Sequence, residues 1–386
     1  MRRTLLVLLV ILALAAAASF AVGPGLVESR LNRVRGPART VSPAAQALHR
    51  RLLVADMHAD SLLWGRDLLK RGTRGQVDLP RLREGNVGLQ AFTVVTKTPR
   101  GLNVNRNDAR AFDDITALAL IQRWPRATWT SLTARALYQA ARLRAMAERS
   151  GGGLVLLRSR ADAAALLERR RKEPQVVGAW LGLEGAHALE GDLSRLDALQ
   201  AAGYRMIGLA HFFDNEWSGS AHGLAKGGLT PLGRQLVPAL ESRHILLDLA
   251  HASPAAIDDA LALARRPVVV SHTGVKGTCD NVRNLSDDQL RRIAATGGVI
   301  GIGFWETAVC GPDERAIAAA IGHAVRVAGV DHVGLGSDFD GAVSTPFDAS
   351  GLPRLTQALL QAGLSADEIA KVMGGNVARL LSEQLE

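Results

Sequence analysis

Leu52-Leu-Val-Ala-Asp-Met-His-Ala-Asp60 is the stretch on which the reading of this chain turns. An apolar run stops at His58 and Asp60, two positions apart. A strand alternates its faces with period two, so both side chains can leave one strand end in the same direction. Imidazole nitrogen and carboxylate oxygen are ordinary ligands for a divalent metal such as zinc. One His-x-Asp pair is equally compatible with a polar strand end. Its recurrence along the chain is what carries weight.

Gly178-Ala-Trp-Leu-Gly-Leu-Glu184 is apolar and ends in a carboxylate. Tyr204–His211, Ile245–His251 and Pro267–His272 each end in a histidine, and Val333–Asp338 ends in an aspartate. Helix-like stretches separate most of these runs. Ser253–Arg265, for example, opens on a Ser-Pro cap and first-turn proline. Alternating short apolar runs and helices indicate βα units and a parallel sheet. Runs near 52–58, 87–95, 178–184, 205–211, 245–251, 267–272, 298–304 and 332–338 suggest an α/β fold, a (β/α)8 TIM-type barrel. Such a barrel carries its active site at the C-terminal ends of the strands. Any one of these histidines would pass as a hydrogen-bonded core residue. Polar residues gathered at one end of six runs would not.

Residues 100–172 exceed a minimal connection. They hold helix-like stretches near 107–123 and 131–149, an apolar run at Gly153–Leu157 and a further helix over Ala161–Arg171. They read as a helical insertion packed on the barrel. Met1-Arg-Arg followed by the apolar Thr4–Val22 fits a secretory signal peptide or an N-terminal membrane anchor over residues 1–22. Residues 23–45 read as a linker and 46–386 as the barrel. Export follows, to the periplasm or another extracytoplasmic place, with membrane attachment if the segment is uncleaved. Net charge is +9, but the arginines are scattered over helix-like segments, which argues against nucleic acid as a partner. Cys279 and Cys310 make no metal-ligand pattern. Export would permit a bond between them, which sequence cannot place.

With those residues in hand, the chain resembles the membrane dipeptidase (renal dipeptidase) family of zinc peptidases. The matching stretches are Asp56-Met-His-Ala-Asp60, Gly182-Leu-Glu-Gly-Ala-His187, Leu209-Ala-His211, Asp248-Leu-Ala-His251, Ser271-His272, Arg283-Asn284, Gly336-Ser-Asp-Phe-Asp-Gly341 and Gly374-Gly-Asn376. They stand in the family's order over roughly residues 50–380. Ala186 departs from the second glycine of many relatives, at a position that is not a ligand. The resemblance implies two Zn2+ per chain. His58 and Asp60 would bind one ion, His251 and His272 the other, and Glu184 would bridge them. A carboxylate has two oxygens, and a water between two cations loses a proton near neutral pH. Asp338 would be the catalytic acid and base. His211 would bind substrate and stabilise the oxyanion. Arg283 would pair with the free carboxylate of a dipeptide, where a guanidinium fork suits two oxygens.

Alternatives stand beside each role. Arg283 could be a surface arginine near Asp280 or Asp287. Asp340 shares Asp338's side of the strand end, so spacing alone does not choose between them. His187 would support a ligand rather than act as one, and Trp217 would either line the pocket or pack. The competing functions are another dinuclear amidohydrolase acting on a non-dipeptide amide or lactam, and an inactive barrel used for binding. A homodimer is left open.

Overall fold

The computed structural model describes residues 4, 5, 7, 20, 22–37 and 39–386. Eight strands close into a barrel. They are β1 (Val54–Asp56), β2 (Val87–Val94), β3 (Val177–Leu183), β4 (Tyr204–Gly208), β5 (Leu246–Asp248), β6 (Val269–Thr273), β7 (Val299–Ile302) and β8 (Val333–Leu335). Neighbours pair in parallel around the ring, from β2 through β1, β8, β7, β6, β5 and β4 to β3, and β2 pairs with β3 to close it. Each strand is buried along its whole length. That is why the sequence shows continuous apolar runs rather than alternation, because helices cover the outside and packed side chains fill the inside.

The crossover helices form where local signals ask for them. Pro254–Leu263 begins with Ser253 accepting from Ala256 N and with Pro254 in the first turn. Asp287–Ala295 carries a full capping box from Ser286 and Gln289. Asn376 starts the last helix, and its amide donates to the Val330 and Val333 carbonyls at 2.7 and 2.8 Å, tying that helix to β8. A Cβ at Gly374 would collide with the Leu53 carbonyl, so the preceding turn needs glycine to approach β1.

The insertion lies against the barrel. Leu132–Arg149 is helical, and the Ala136 carbonyl accepts from Tyr204 Oη at 2.8 Å. Leu154–Leu156 adds a short strand beside the start of β3, and Arg160–Arg170 forms the last helix of the insertion. The helix expected over 107–123 is shorter, covering Asp114–Ile121. Asp113 caps it by accepting from Ile115 N. The preceding residues are held as turns by the Asn103, Asn107 and Asp108 side chains, whose short polar groups compete with helical hydrogen bonds.

The proposed signal or anchor over Thr4–Val22 lies largely outside the described residues. Among the described residues no helix is long and apolar enough to cross a membrane. Within the stretch read as a linker, residues 23–37 and 39–45 are structured against the barrel. They are helical through residue 31, and Arg33–Val34 pairs in parallel with Ser344–Thr345. A second helix runs from Pro43 to His49. Polar contacts hold this stretch, and they leave no hydrophobic periodicity in the sequence.

Candidate metal centre and substrate cavity

β1 delivers Asp56, His58 and Asp60 to the C-terminal mouth of the barrel. Asp56 is buried and accepts from Ser337 N at 2.8 Å, Ser337 Oγ at 2.6 Å and Gln90 Nε2 at 3.0 Å, locking β1 to its neighbours β8 and β2. A similar device works at β5, where Asp248 accepts from Ala250 N at 3.0 Å and Ser271 N at 2.8 Å. Glycines let these strands approach. A Cβ at Gly336 would run into the Ser271 carbonyl.

The expected ligands converge on one carboxylate. Glu184 Oε1 lies 3.5 Å from His58 Nε2, 3.0 Å from His251 Nε2 and 3.5 Å from His272 Nε2. Its other oxygen lies 3.3 Å from His211 Nε2. His58 Nε2 is also 3.5 Å from Asp60 Oδ1 and 4.0 Å from Asp338 Oδ1. The His251 and His272 Nε2 atoms are 3.0 Å apart. Ligands placed 2.0–2.1 Å from a tetrahedral zinc stand about 3.3 Å from one another, so these spacings suit metal ligation. Three groups have ligand atoms close enough to share an ion: His58, Asp60 and Glu184; Glu184, His211 and His251; and His58, His272 and Asp338. Each of these side chains is buried.

The surroundings aim the nitrogens inward. Ser271 Oγ sits 2.9 Å from His58 Nδ1 and 3.0 Å from His272 Nδ1. A hydroxyl oxygen has two lone pairs and can accept from both rings. That tautomer leaves both Nε2 lone pairs facing the cluster, as a metal ligand requires. Thr93 Oγ1 donates to Asp60 Oδ1 at 2.6 Å. Among the described residues, His58 Nε2 and Glu184 Oε2 are buried without a hydrogen-bond partner. Unpaired buried polar atoms are costly, and a cation would engage both.

Electrostatics agree with the geometry. Burial, with the Asp60 charge behind it, holds Glu184 well above the usual carboxylate range. Burial and Asp60 also push Asp338 up to about 8, against the pull of His58. Burial and the nearby Arg283 keep His251 well below its ordinary value, and burial and His58 do the same to His272. Burial would also depress His58, but Asp60 and Glu184 carry it up to about 10. A cation among these groups would favour ionised carboxylates and neutral imidazoles, reversing the upward shifts of Glu184 and Asp338 and the upward shift of His58.

A cavity of about 200 Å3 opens beside this cluster, lined by Asp60, Glu184, His211, His251, Arg283 and Asp338 among others. Pockets for drug-sized ligands run to about 300–1,000 Å3, so this one suits a small substrate. A more open depression of about 560 Å3, bounded by Arg158, Arg205 and Glu386, lies at the other end of the strands, away from the cluster.

Each sequence candidate can now be placed. Arg283 is buried and donates from Nη2 to the His272 carbonyl at 2.6 Å. Asp280 and Asp287 pair instead with Lys276 and His323. His187 is buried beside the cluster, its Nε2 3.0 Å from Thr96 Oγ1, and lies outside the three ligand groups. Trp217 is fully buried and does not line the cavity. Asp340 accepts from Ser61 Oγ, Arg66 Nη2, Gln76 N and Val77 N, which uses its oxygens for structure, while Asp338 faces the cavity. Cys279 and Cys310 form a disulfide across 5.2 Å of Cα separation, linking the loops that follow β6 and β7. Sequence reasoning missed His222. It lines the cavity from the loop after β4, with Nδ1 2.5 Å from the Val104 carbonyl and, among the described residues, no partner for Nε2. It ends no strand, so no periodicity marked it.

The comparisons with known proteins agree with this geometry. The family model described as membrane dipeptidase, peptidase family M19, matches residues 43–386. The chain is 32% identical over 324 residues to Dipeptidase tcpJ of Claviceps purpurea, covering 80% of this chain and 69% of that one. It is 30% identical over 366 residues to Dipeptidase aclJ of Aspergillus oryzae, covering 89% and 80%. Among solved structures it superposes on dipeptidase AC, a metallopeptidase of family M19, with a TM-score of 0.71 and 26% identity, covering 86% of this chain and 99% of that one. The TM-score and identity are the same for a metallopeptidase from Rhodobacter sphaeroides, liganded with a phosphinate mimic of the dipeptide L-Ala-D-Ala, with 87% and 99% covered. Barrel, ligand-spaced side chains and family match together show that the chain belongs to the membrane dipeptidase family, peptidase family M19, and is a metal-dependent dipeptidase.

Proposed function

We propose that this dipeptidase holds two zinc ions and cleaves small dipeptides bearing a free C-terminal carboxylate. His58 and Asp60 would hold one ion, His251 and His272 the other, with Glu184 between them. The observation that carries this reading is the approach of three imidazole nitrogens to within 3.5 Å of one Glu184 oxygen. When bound, the metal pair supplies an activated water and polarises the scissile carbonyl.

The remaining work falls to side chains. Asp338 would accept a proton from the attacking water and return it to the leaving amine. The fit is one of geometry first, because Asp338 lines the same cavity as Glu184 and His211. His211 lies across Glu184 from the other histidines and would steady the oxygen of the tetrahedral intermediate. Arg283 would take the substrate carboxylate. The L-Ala-D-Ala mimic bound by one solved relative makes L,D-dipeptides a class to test first. The apolar segment behind Arg2 and Arg3 supports a catalytic barrel outside the cytoplasm. Fractionation that recovers the intact chain in the cytoplasm would refute that placement.

The deciding experiment measures zinc by plasma mass spectrometry alongside hydrolysis of L,L-, L,D- and glycyl dipeptides, with and without chelator. About two ions per chain are expected. Glu184→Gln should lose metal and activity together, since an amide is a poor bridge. Full activity with unchanged metal content in that variant would remove Glu184 from the bridging role.

A further inference from the structure

The wall of the substrate cavity formed by Gly341, Ala342 and Val343 is built from an unfavourable backbone. Asp338, Asp340 and Ala342 have φ of +61°, +63° and +61°. Residues other than glycine rarely adopt this region, and each persists only where surrounding structure over-determines it. Residues 28–34, far upstream in sequence, hold Ala342 directly and Asp340 through Arg66 and Gln76.

The contacts are specific. Glu28 is buried and pairs with Arg66 through Nε, while Arg66 Nη2 donates to Asp340 Oδ2 at 2.5 Å. Arg74 Nε reaches the other Glu28 oxygen at 3.3 Å. Asn32 Oδ1 accepts from Ala342 N at 2.8 Å. Gln76, fully buried, has its Nε2 3.1 Å from both the Arg33 and Val343 carbonyls, and its Oε1 accepts from Asp340 N at 2.6 Å. Arg33–Val34 then pairs with Ser344–Thr345. The docking helix is inverted: Leu26, Val27 and Leu31 are exposed, while Glu28 and Asn32 face the barrel. A passive cover would bury its leucines. The buried side chains of this segment instead reach one loop, Asn32 directly and Glu28 through Arg66.

We propose that residues 28–34 are a working part of the active site: Glu28, through Arg66 and Asp340, and Asn32, through Ala342, are positioning residues that hold the Gly341–Val343 wall against the bound dipeptide. The inference rests on reading that cavity as the dipeptide site. It assigns the segment an effect on substrate binding and none on metal binding, because none of its contacts touches His58, Asp60, Glu184, His251 or His272.

The test uses the full chain carrying Glu28→Ala, Asn32→Ala and both, with Glu28→Gln as the conservative variant that keeps an acceptor for Arg66. Dipeptide kinetics, zinc content and hydrogen–deuterium exchange over residues 338–345 are measured together. In the double variant KM should rise about tenfold, equivalent to about 1.4 kcal/mol, with kcat and zinc nearly unchanged and faster exchange in the loop. Glu28→Gln should recover part of the KM. Asn32→Ala removes a single hydrogen bond and serves if the double variant does not fold. An unchanged KM overturns the proposal whether or not exchange in the loop quickens, as does a fall in kcat with zinc loss. If wild type hydrolyses no dipeptide, the substrate reading has failed instead, and the exchange data alone decide whether residues 28–34 hold the loop.

Discussion

Replacing Arg283 with alanine tests the substrate reading most sharply. The guanidinium is buried, and burial lowers it to about 10, so it stays charged at neutral pH. Its Nη2 is spent on the His272 carbonyl, which fixes its orientation, and among the described residues Nε has no acceptor. A carboxylate arriving in this cavity would meet a pre-oriented, partly desolvated donor. Truncating one partner of such a buried charged pair costs about 2–5 kcal/mol. At about 1.4 kcal/mol per decade, kcat/KM on free dipeptides should fall roughly 30-fold to several thousand-fold. Zinc content should not change, since arginine is no ligand. The control is a C-terminally amidated dipeptide. Wild type should cleave it poorly, and the mutation should then add little. Equal wild-type rates on free and amidated dipeptides would refute the carboxylate clamp and favour the broader amide-hydrolase reading.

Three further outcomes follow from the geometry and the electrostatics. Asp338→Asn should cut kcat by about 10²–10⁴, the usual worth of a general acid or base, with zinc and Tm largely kept. Asp340→Asn should instead lower Tm, because it disrupts the carboxylate that four donors share. Reversal of those phenotypes would exchange the roles of the two aspartates. His187 is held at about 3 by burial, then by Lys97 and Arg135, against 6.5 when unfolded. The unfolded chain therefore binds the extra proton first, so stability is fully present above pH 6.5 and falls as pH drops toward 3. Between those values His187→Gln should flatten the urea-derived stability curve by about 1.4 kcal/mol per pH unit relative to wild type. A constant wild-type-to-variant difference from pH 7 to pH 4 would show that His187 does not titrate this way.

The sequence and the structure part company along a physical line. Strand ends are legible because a parallel barrel buries both faces of each strand, so the runs are mostly apolar and the polar residues that end them mark the mouth. His58, Glu184, His211, His251, His272 and Asp338 were all visible on that basis, and so was the barrel. What periodicity cannot carry is which polar group meets which. Asp338 and Asp340 share a spacing, yet one faces the cavity and the other is consumed by Ser61, Arg66, Gln76 and Val77. The cysteines, 31 residues apart, meet because β6 and β7 are neighbours in the ring. His222 and Asn32 were invisible for the same reason, since each is fixed by a backbone atom more than one hundred residues away. Residues 23–45 passed for a linker because their contacts are hydrogen bonds and ion pairs, which leave no hydrophobic pattern to read. Polar stretches that flank a barrel are therefore poorly judged by composition alone. Here one such stretch reaches the loop that shapes the substrate cavity, which makes Glu28 and Asn32 as informative to mutate as the residues at the strand ends.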